Sequence, residues 1–285
     1  MLSSPLRYPG GKAKLFGFFS EMIKENDLYN SVYCEPFAGG AGLALKLLAT
    51  GFVARISLND IDPAVYAFWR AVLDFPDAFC DLIANAKVNI EEWHEHKQNW
   101  LNQADKDVLR LGFSTFFLNR TNRSGIIDGA GPIGGYHQSG IWKIDARFNR
   151  EQQIKNIQLI KQFRDRIDVS NLDALAFIET HFNDKNNFIY LDPPYYVKGS
   201  KLYRNFYVHN DHCEILKLLE NNRRSNWVVS YDDVPQIRDI YNKFDPILYE
   251  LNYSAGNAST GKEVIYVSDS LTVPTCEKFT QLSAA

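Results

Sequence analysis

From residue 12 to 25 the apolar side chains Leu15, Phe18, Phe19, Met22 and Ile23 recur at helical spacing and share one face, which predicts an amphipathic helix. The run 32–36 is short and apolar, as expected of a buried strand. It ends in a glycine-rich turn at 37–42, and 43–50 has helical character again. A strand at 55–60 and a helix at 64–73 repeat the alternation. It then stops. Residues 75–150 hold helix-like stretches, around 105–117, followed by a Gly-, Arg- and Asn-rich segment at 119–150 that reads as a loop or hairpin. Alternation resumes with a helix at 151–163, a strand at 167–170, a helix at 174–182 and a strongly apolar strand at 188–191. Helix 211–221, strand 227–231, helix 234–243 and strands at 247–253 and 264–268 complete the chain. Seven strands interleaved with helices predict an α/β fold with a mostly parallel sheet covered on both faces. Residues 1–74 and 151–285 would build that sheet, and 75–150 would be an inserted, mainly helical region containing a hairpin.

With 285 residues, of which 45% are hydrophobic and 23% charged, the chain can bury a sizeable core without covalent staples. Cys34, Cys80, Cys213 and Cys276 form no C-x-x-C pair, which speaks against a zinc ribbon or a disulfide framework. The first twelve residues lack the apolar stretch of a signal peptide, and no run of about 18 apolar residues exists to span a membrane. His94 and His96 flank Glu95, and His209 and His212 lie three apart. Neither pair gathers the three or four ligands a metal needs, so no metal is expected.

Glu35-Pro36-Phe37-Ala38-Gly39-Gly40-Ala41-Gly42 sits between a predicted strand and a predicted helix, where glycines let the backbone approach a nucleotide closely. Asp60 ends the next strand, a common place for a carboxylate that accepts ribose hydroxyls. NAD uses the same topology. Two features disfavour it: the spacing is not G-x-G-x-x-G, and Glu35 would face a pyrophosphate unfavourably. A ligand carrying a sulfonium and an ammonium suits that carboxylate better, and S-adenosylmethionine is one. Gly11 and Lys12 follow Pro9-Gly10, and Lys12 is placed to pair with the ligand's carboxylate.

Asp192-Pro193-Pro194-Tyr195 follows the apolar strand at 188–191, beyond its carboxyl end, where open α/β sheets bind ligands. The two prolines stiffen the turn and remove two N–H groups, so the Asp192 carboxylate and the Pro193 carbonyl are acceptors only. Such a pair suits an exocyclic NH₂. Two hydrogen bonds would draw the nitrogen towards a tetrahedral shape and aim its lone pair at a methyl carbon. No covalent enzyme intermediate is needed. Tyr195 offers an aromatic face on which an extruded base could stack, an interaction of about 1–3 kcal/mol against an extrusion cost of a few.

Leu6-Arg7-Tyr8-Pro9-Gly10-Gly11-Lys12, Glu35-Pro36-Phe37-Ala38-Gly39, Asn59-Asp60-Ile61, a basic insertion and Asp192-Pro193-Pro194-Tyr195 occur in the order seen in Dam-type (D12 class) DNA adenine-N6 methyltransferases, and the chain resembles that family. The resemblance implies a seven-stranded Rossmann-like methyltransferase fold with the target-recognition region inserted. It implies that Tyr8, Lys12, Glu35, Phe37, Gly39, Asp60 and Asp173 surround the cofactor, with Gly11, Pro36, Ala38, Gly40 and Asp192 alongside. It also implies that Arg7 contacts a base near the target adenine. Ala41 stands where some members have a second glycine, and 119–125 resembles the GATC-specific hairpin only loosely.

Between Arg110 and Arg150 lie Arg110, Arg120, Arg123, Lys143, Arg147 and Arg150 against Asp128 and Asp145, a charge of +4 in a chain of −3. Arg120, Asn122 and Arg123 are expected to read base edges, and Arg147 and Arg150 to contact phosphate. Lys198, Lys201 and Arg204 form a second basic group expected to line the DNA channel. The expected partner is double-stranded DNA, met by a cytoplasmic monomer in a bacterial or phage-infected cell, with no obligatory protein partner. Cytosine-N4 methylation shares the same acceptor logic, although Asp192 rather than serine leans towards adenine. A non-catalytic DNA-binding regulator on this fold is an alternative of another class.

Overall fold

The computed structural model describes residues 2–7, 11–103, 107–197, 207–253, 259–275 and 279–281. Strands β1 (Val32–Glu35), β2 (Arg55–Asn59), β3 (Ile167–Ser170), β4 (Asn187–Leu191), β5 (Asn226–Asp232), β6 (Ile247–Tyr253), β7 (Ser259–Val267) and β8 (Phe279–Gln281) form one sheet in the order β3-β2-β1-β4-β5-β7-β6-β8. The seven expected strands are all present, and β8 adds an eighth. The first five in that order run parallel to one another, and the pairs β5–β7, β7–β6 and β6–β8 are antiparallel.

Strand residues alternate between two apolar layers. Tyr33, Phe188, Tyr190 and Val228 face one cluster, and Cys34, Ile189, Leu191, Trp227 and Val229 the other. Burial on both faces explains the continuous apolar runs of these strands. The first layer holds α1 (Phe16–Glu25), α2 (Gly42–Ala49) and α3 (Pro63–Asp74). The second holds α8 (Ala174–Phe182), α9 (His209–Asn221) and α10 (Pro235–Ile240).

The insertion contributes α4 (Pro76–Asn85), α5 (Ile90–Leu101) and α6 (Val108–Thr121), and α7 (Arg150–Lys161) leads back to β3. Its side chains Phe79, Trp93, Trp100, Phe116 and Phe148 belong to the same apolar cluster as Phe19 and Tyr33, so the insertion shares its core with the sheet. Of the loop or hairpin expected at 119–150, the loop is what forms, which corrects the hairpin: after α6 ends at Thr121 come a 3-10 turn at Arg123–Gly125, further turns and an isolated bridge between Asn122 and Pro132. Gly125, Gly129, Gly134 and Gly135 all have positive φ, and such tight turning leaves little extended backbone to pair.

Chain order makes β1 and β4 neighbours while their following helices lie on opposite faces of the sheet. The carboxyl ends of β1 and β4 are thus a topological switch point, where such sheets leave a crevice.

Candidate active site

The crevice is a cavity of about 490 Å³, within the usual size of a small-molecule site. Glu35, Phe37, Ala38, Gly39 and Gly40 line one wall, Asp60, Ile61 and Asp62 a second, and Tyr190, Asp192, Pro194 and Tyr207 a third. Gly11 and Lys12 close it from the N-terminal side. The glycine turn owes its shape to left-handed backbone at Gly39 (φ 45°) and Ala41 (φ 46°), followed directly by α2. The Gly39 amide donates to Asp60 Oδ2 at 2.9 Å, and Trp69 Nε1 donates to the Gly39 carbonyl at 2.9 Å. Asn59 Nδ2 donates to the Pro36 carbonyl at 3.1 Å, so Pro36 shapes the turn from behind without lining the cavity.

Two carboxyl groups in the cavity wall hold protons more tightly than usual. Burial pushes Glu35 up to about 8, although the Tyr33 hydroxyl and the Ala44 amide favour its charged form. Burial likewise pushes Asp60 up to about 7, against the pull of the Asp62 and Gly39 amides.

At the end of β4, Asp192 Oδ1 accepts from Ser230 Oγ at 3.1 Å and lies 2.9 Å from Lys12 Nζ. Tyr190 OH and Ser230 Oγ are 2.7 Å apart beneath it. Oδ2 has no hydrogen-bond partner among the described residues, and the side chain is 26% exposed, towards the cavity. Burial raises the Asp192 pKa and Lys12 pulls it back. Burial opposes charge on Lys12, but Asp192 and Glu263 outweigh it and hold the ammonium above its ordinary range.

Lys12 was expected to pair with a ligand carboxylate. Its ammonium instead bonds Tyr195 OH at 2.6 Å and Asp192, and lies 3.6 Å from Glu263 Oε2. Tyr195 OH in turn donates to Glu263, as does Tyr249 OH. Tyr195 therefore points inward: it is buried and does not line the cavity, which corrects the expectation of a ready stacking face. Pro193 is buried, and Asp173 is exposed and caps α8 through the Leu175 and Ala176 amides, near Tyr207 but outside the cavity lining. Tyr8, Lys198, Lys201 and Arg204 lie outside the described residues.

Glu263, Tyr249, Ser230, Trp69 and Tyr207 belong to the site but carry no motif that marks them. A charged residue among the apolar positions of a strand was the one available signal for Glu263.

The basic expectations divide. Arg123, Lys143 and Arg147 are exposed. Arg120 and Asn122 are not, which corrects their assignment to base edges. Arg120 Nε donates to the Pro5 carbonyl at 2.7 Å and its guanidinium to Gln153 at 2.8 Å, and burial with Arg7 nearby pushes it down to about 10. Asn122 is fully buried, accepting from Trp93 Nε1 at 2.7 Å and donating to the Ile126 carbonyl at 2.8 Å. Arg150 satisfies the carbonyls of Ile83 and Ala86 at the end of α4, at 2.6 and 2.7 Å, so a phosphate contact is corrected there as well. Arg7 is half-buried, its backbone clamped by Asn119 at 2.7 and 2.8 Å, and burial and Arg147 lower its pKa.

A glycine turn, a D-P-P-Y turn and two carboxyl groups around one cavity have a counterpart among known proteins: the model of the D12 class N6 adenine-specific DNA methyltransferases matches residues 8–254. The chain belongs to this family. Similar proteins include modification methylase StsI of Streptococcus sanguinis, 24% identical over 215 residues, a match that spans 69% of this chain and 29% of that protein. Type II methyltransferase M.MjaIII of Methanocaldococcus jannaschii is 23% identical over 210 residues, 67% of this chain and 68% of that one. Type II methyltransferase M.CviBI of Paramecium bursaria Chlorella virus NC1A is 23% identical over 194 residues, with the same shares. The D12 chain is thus an adenine-specific DNA methyltransferase, and its likeness is to modification enzymes.

Proposed function

We propose that this D12 methyltransferase takes S-adenosylmethionine into the 490 Å³ cavity and an adenine, extruded from double-stranded DNA, against Asp192. The carrying observation is the division of labour on the Asp192 carboxylate. Oδ1 is held by Lys12 and Ser230, while Oδ2 is left without a hydrogen-bond partner among the described residues on a side chain that lines the cavity. Together with the Pro193 carbonyl it would accept both protons of an amino group and orient the nitrogen lone pair.

The cavity fits the cofactor by its donor set. Acidic Glu35 suits the ammonium, Asp60 the ribose hydroxyls, and the Gly39–Gly40 backbone permits close approach. When bound, the cofactor supplies an electrophilic methyl group. The protein's share is orientation and stabilisation of the positive charge that develops on the amino nitrogen, for which Asp192 is placed.

Arg7, Arg123 and Arg147 are proposed to contact DNA, with the enzyme acting as a monomer in the cytoplasm of a bacterial or phage-infected cell. Asp192→Asn tests the core of the reading. Methyl transfer to adenine should fall by at least about 100-fold while cofactor binding by equilibrium dialysis survives. Wild-type-like turnover in that variant would end it.

A further inference from the structure

Glu263 does not line the cavity, yet it reaches both ends of the D-P-P-Y turn. Sheet register places it opposite Asp232 of β5 and Tyr249 of β6, fully buried. Oε1 accepts from Tyr195 OH, the last residue of the turn. Oε2 accepts from Tyr249 OH and lies 3.6 Å from Lys12 Nζ, the cation that bonds Asp192, the first residue of the turn. Lys12 Nζ also sits 4.9 Å from the centre of the Tyr195 ring.

We infer that Glu263 is a positioning residue for methyl transfer: it shares the Lys12 ammonium with Asp192 and tethers the Tyr195 hydroxyl, pinning the turn at both ends. The inference rests on Asp192 as acceptor of the adenine amino group. A lone Lys12–Asp192 pair would draw electron density from the carboxylate that must accept that group's protons. A second carboxylate beside the ammonium offsets that pull. Among the described residues, the charged and titratable groups around Lys12 include Asp192 after β4, Glu263 on β7 and Glu35 on β1, with the hydroxyls of Tyr195, Tyr190 and Tyr249.

Glu263→Gln in the full chain keeps the shape and removes the charge. The expected result is a fall in kcat of about 100-fold, with the cofactor Kd and the DNA KM within about threefold of wild type. The pH–rate profile should also move to lower pH on both limbs. Asp192, relieved of a neighbouring negative charge, ionises sooner, and Lys12, deprived of a partner, loses its proton sooner. Glu263→Asp, which restores the charge, should recover about tenfold of the loss.

Two outcomes overturn the inference: kcat unchanged in Glu263→Gln, or a loss shared equally by cofactor affinity with no movement of the pH profile, as a merely structural residue would give. If Glu263→Gln does not fold, Tyr195→Phe cuts the same tether while keeping the ring. Its kcat should drop about tenfold at unchanged cofactor affinity, and an unchanged kcat overturns the tether. An inactive wild-type enzyme would instead refute the functional reading, so the two failures are distinct.

Discussion

Lys12 Nζ stands 2.9 Å from Asp192 Oδ1, joining the first turn of the chain to the end of the fourth strand. The pair is enclosed, with the Lys12 side chain 6% exposed, and Glu263 closes it from below. Taking the cation away leaves the Glu263 carboxylate buried and the Asp192 carboxylate partly buried, with no cation between them. Lys12→Met should therefore destabilise the protein by about 3–5 kcal/mol at neutral pH, read by urea unfolding. The loss should shrink in acid, where the carboxylates accept protons. A loss of equal size at both pH values would mean that Lys12 matters only as packing.

If Glu35 and Asp60 hold the cofactor as proposed, its binding should depend on pH. In the folded chain both hold protons up to about 8 and about 7, whereas unfolded carboxyl groups release them near 4. Between those limits the folded state binds more protons than the unfolded one. Their contribution to stability therefore falls as pH rises through this window. A ligand that places an ammonium at Glu35 favours the ionised form and reverses that cost. The cofactor Kd should therefore fall as pH rises from about 6 to about 8.5, by up to tenfold per unit per group. Calorimetry in buffers of different ionisation enthalpy should show protons released on binding. Glu35→Gln should flatten the slope, and a Kd that does not change with pH would exclude this role for Glu35.

What was legible in the sequence was local. Strand, turn and helix follow one another in 32–50, and the proline pair in 192–195 stiffens its own backbone, so both turns could be read residue by residue. The partners beneath them could not, because Ser230, Tyr249 and Glu263 reach Asp192 and Lys12 only through the register of β4, β5, β7 and β6. Arg120 and Asn122 misled for a related reason. They look like loop residues beside Arg123, but α6 continues to Thr121 and its last turn packs against Trp93 and Pro5. Helix α4 buries Phe79, Cys80 and Ile83 at helical spacing, whereas α5 is anchored by Trp93 and Trp100 in an otherwise polar stretch, which leaves its apolar face faint in the sequence.

The basic residues now separate by environment, and so should their variants. Arg147 is exposed and makes no ion pair among the described residues, while Arg7 beside it leaves two like charges in want of an anion. Arg147→Ala should lower the salt slope of DNA binding by about 1 and leave the melting temperature unchanged. Arg120→Ala should do the reverse, since it strips the Pro5 carbonyl and Gln153 of their donor at a cost of about 1–3 kcal/mol. Ile141 and Trp142, 94% and 70% exposed beside Lys143, belong with Arg147, and Trp142→Ala should weaken DNA binding without loss of stability. Equal melting temperatures for the Arg120 and Arg147 variants would contradict this division.

Gly112 packs the insertion against α3, the helix whose Trp69 bonds the glycine turn. It lies where α6 crosses α3, and a Cβ there would stand 2.6 Å from the Ala67 carbonyl oxygen and 2.8 Å from Ala71 Cβ. Backbone cannot yield as a flexible side chain can, so Gly112→Ala must push the two helices apart, at a cost of about 1–3 kcal/mol. Trp69, on the same helix as Ala67 and Ala71, donates to the Gly39 carbonyl, and displacement of α3 would drag on that bond. The variant should thus lose cofactor affinity as well as stability, although Gly112 touches neither cavity nor turn. Gly17→Ala is the contrasting case. It sits within α1 with nothing inside 4 Å of the added methyl, and it should stabilise by about 0.5–1 kcal/mol with cofactor affinity unchanged. If Gly112→Ala lost stability but kept full cofactor affinity, α3 would not be the strut that holds the glycine turn.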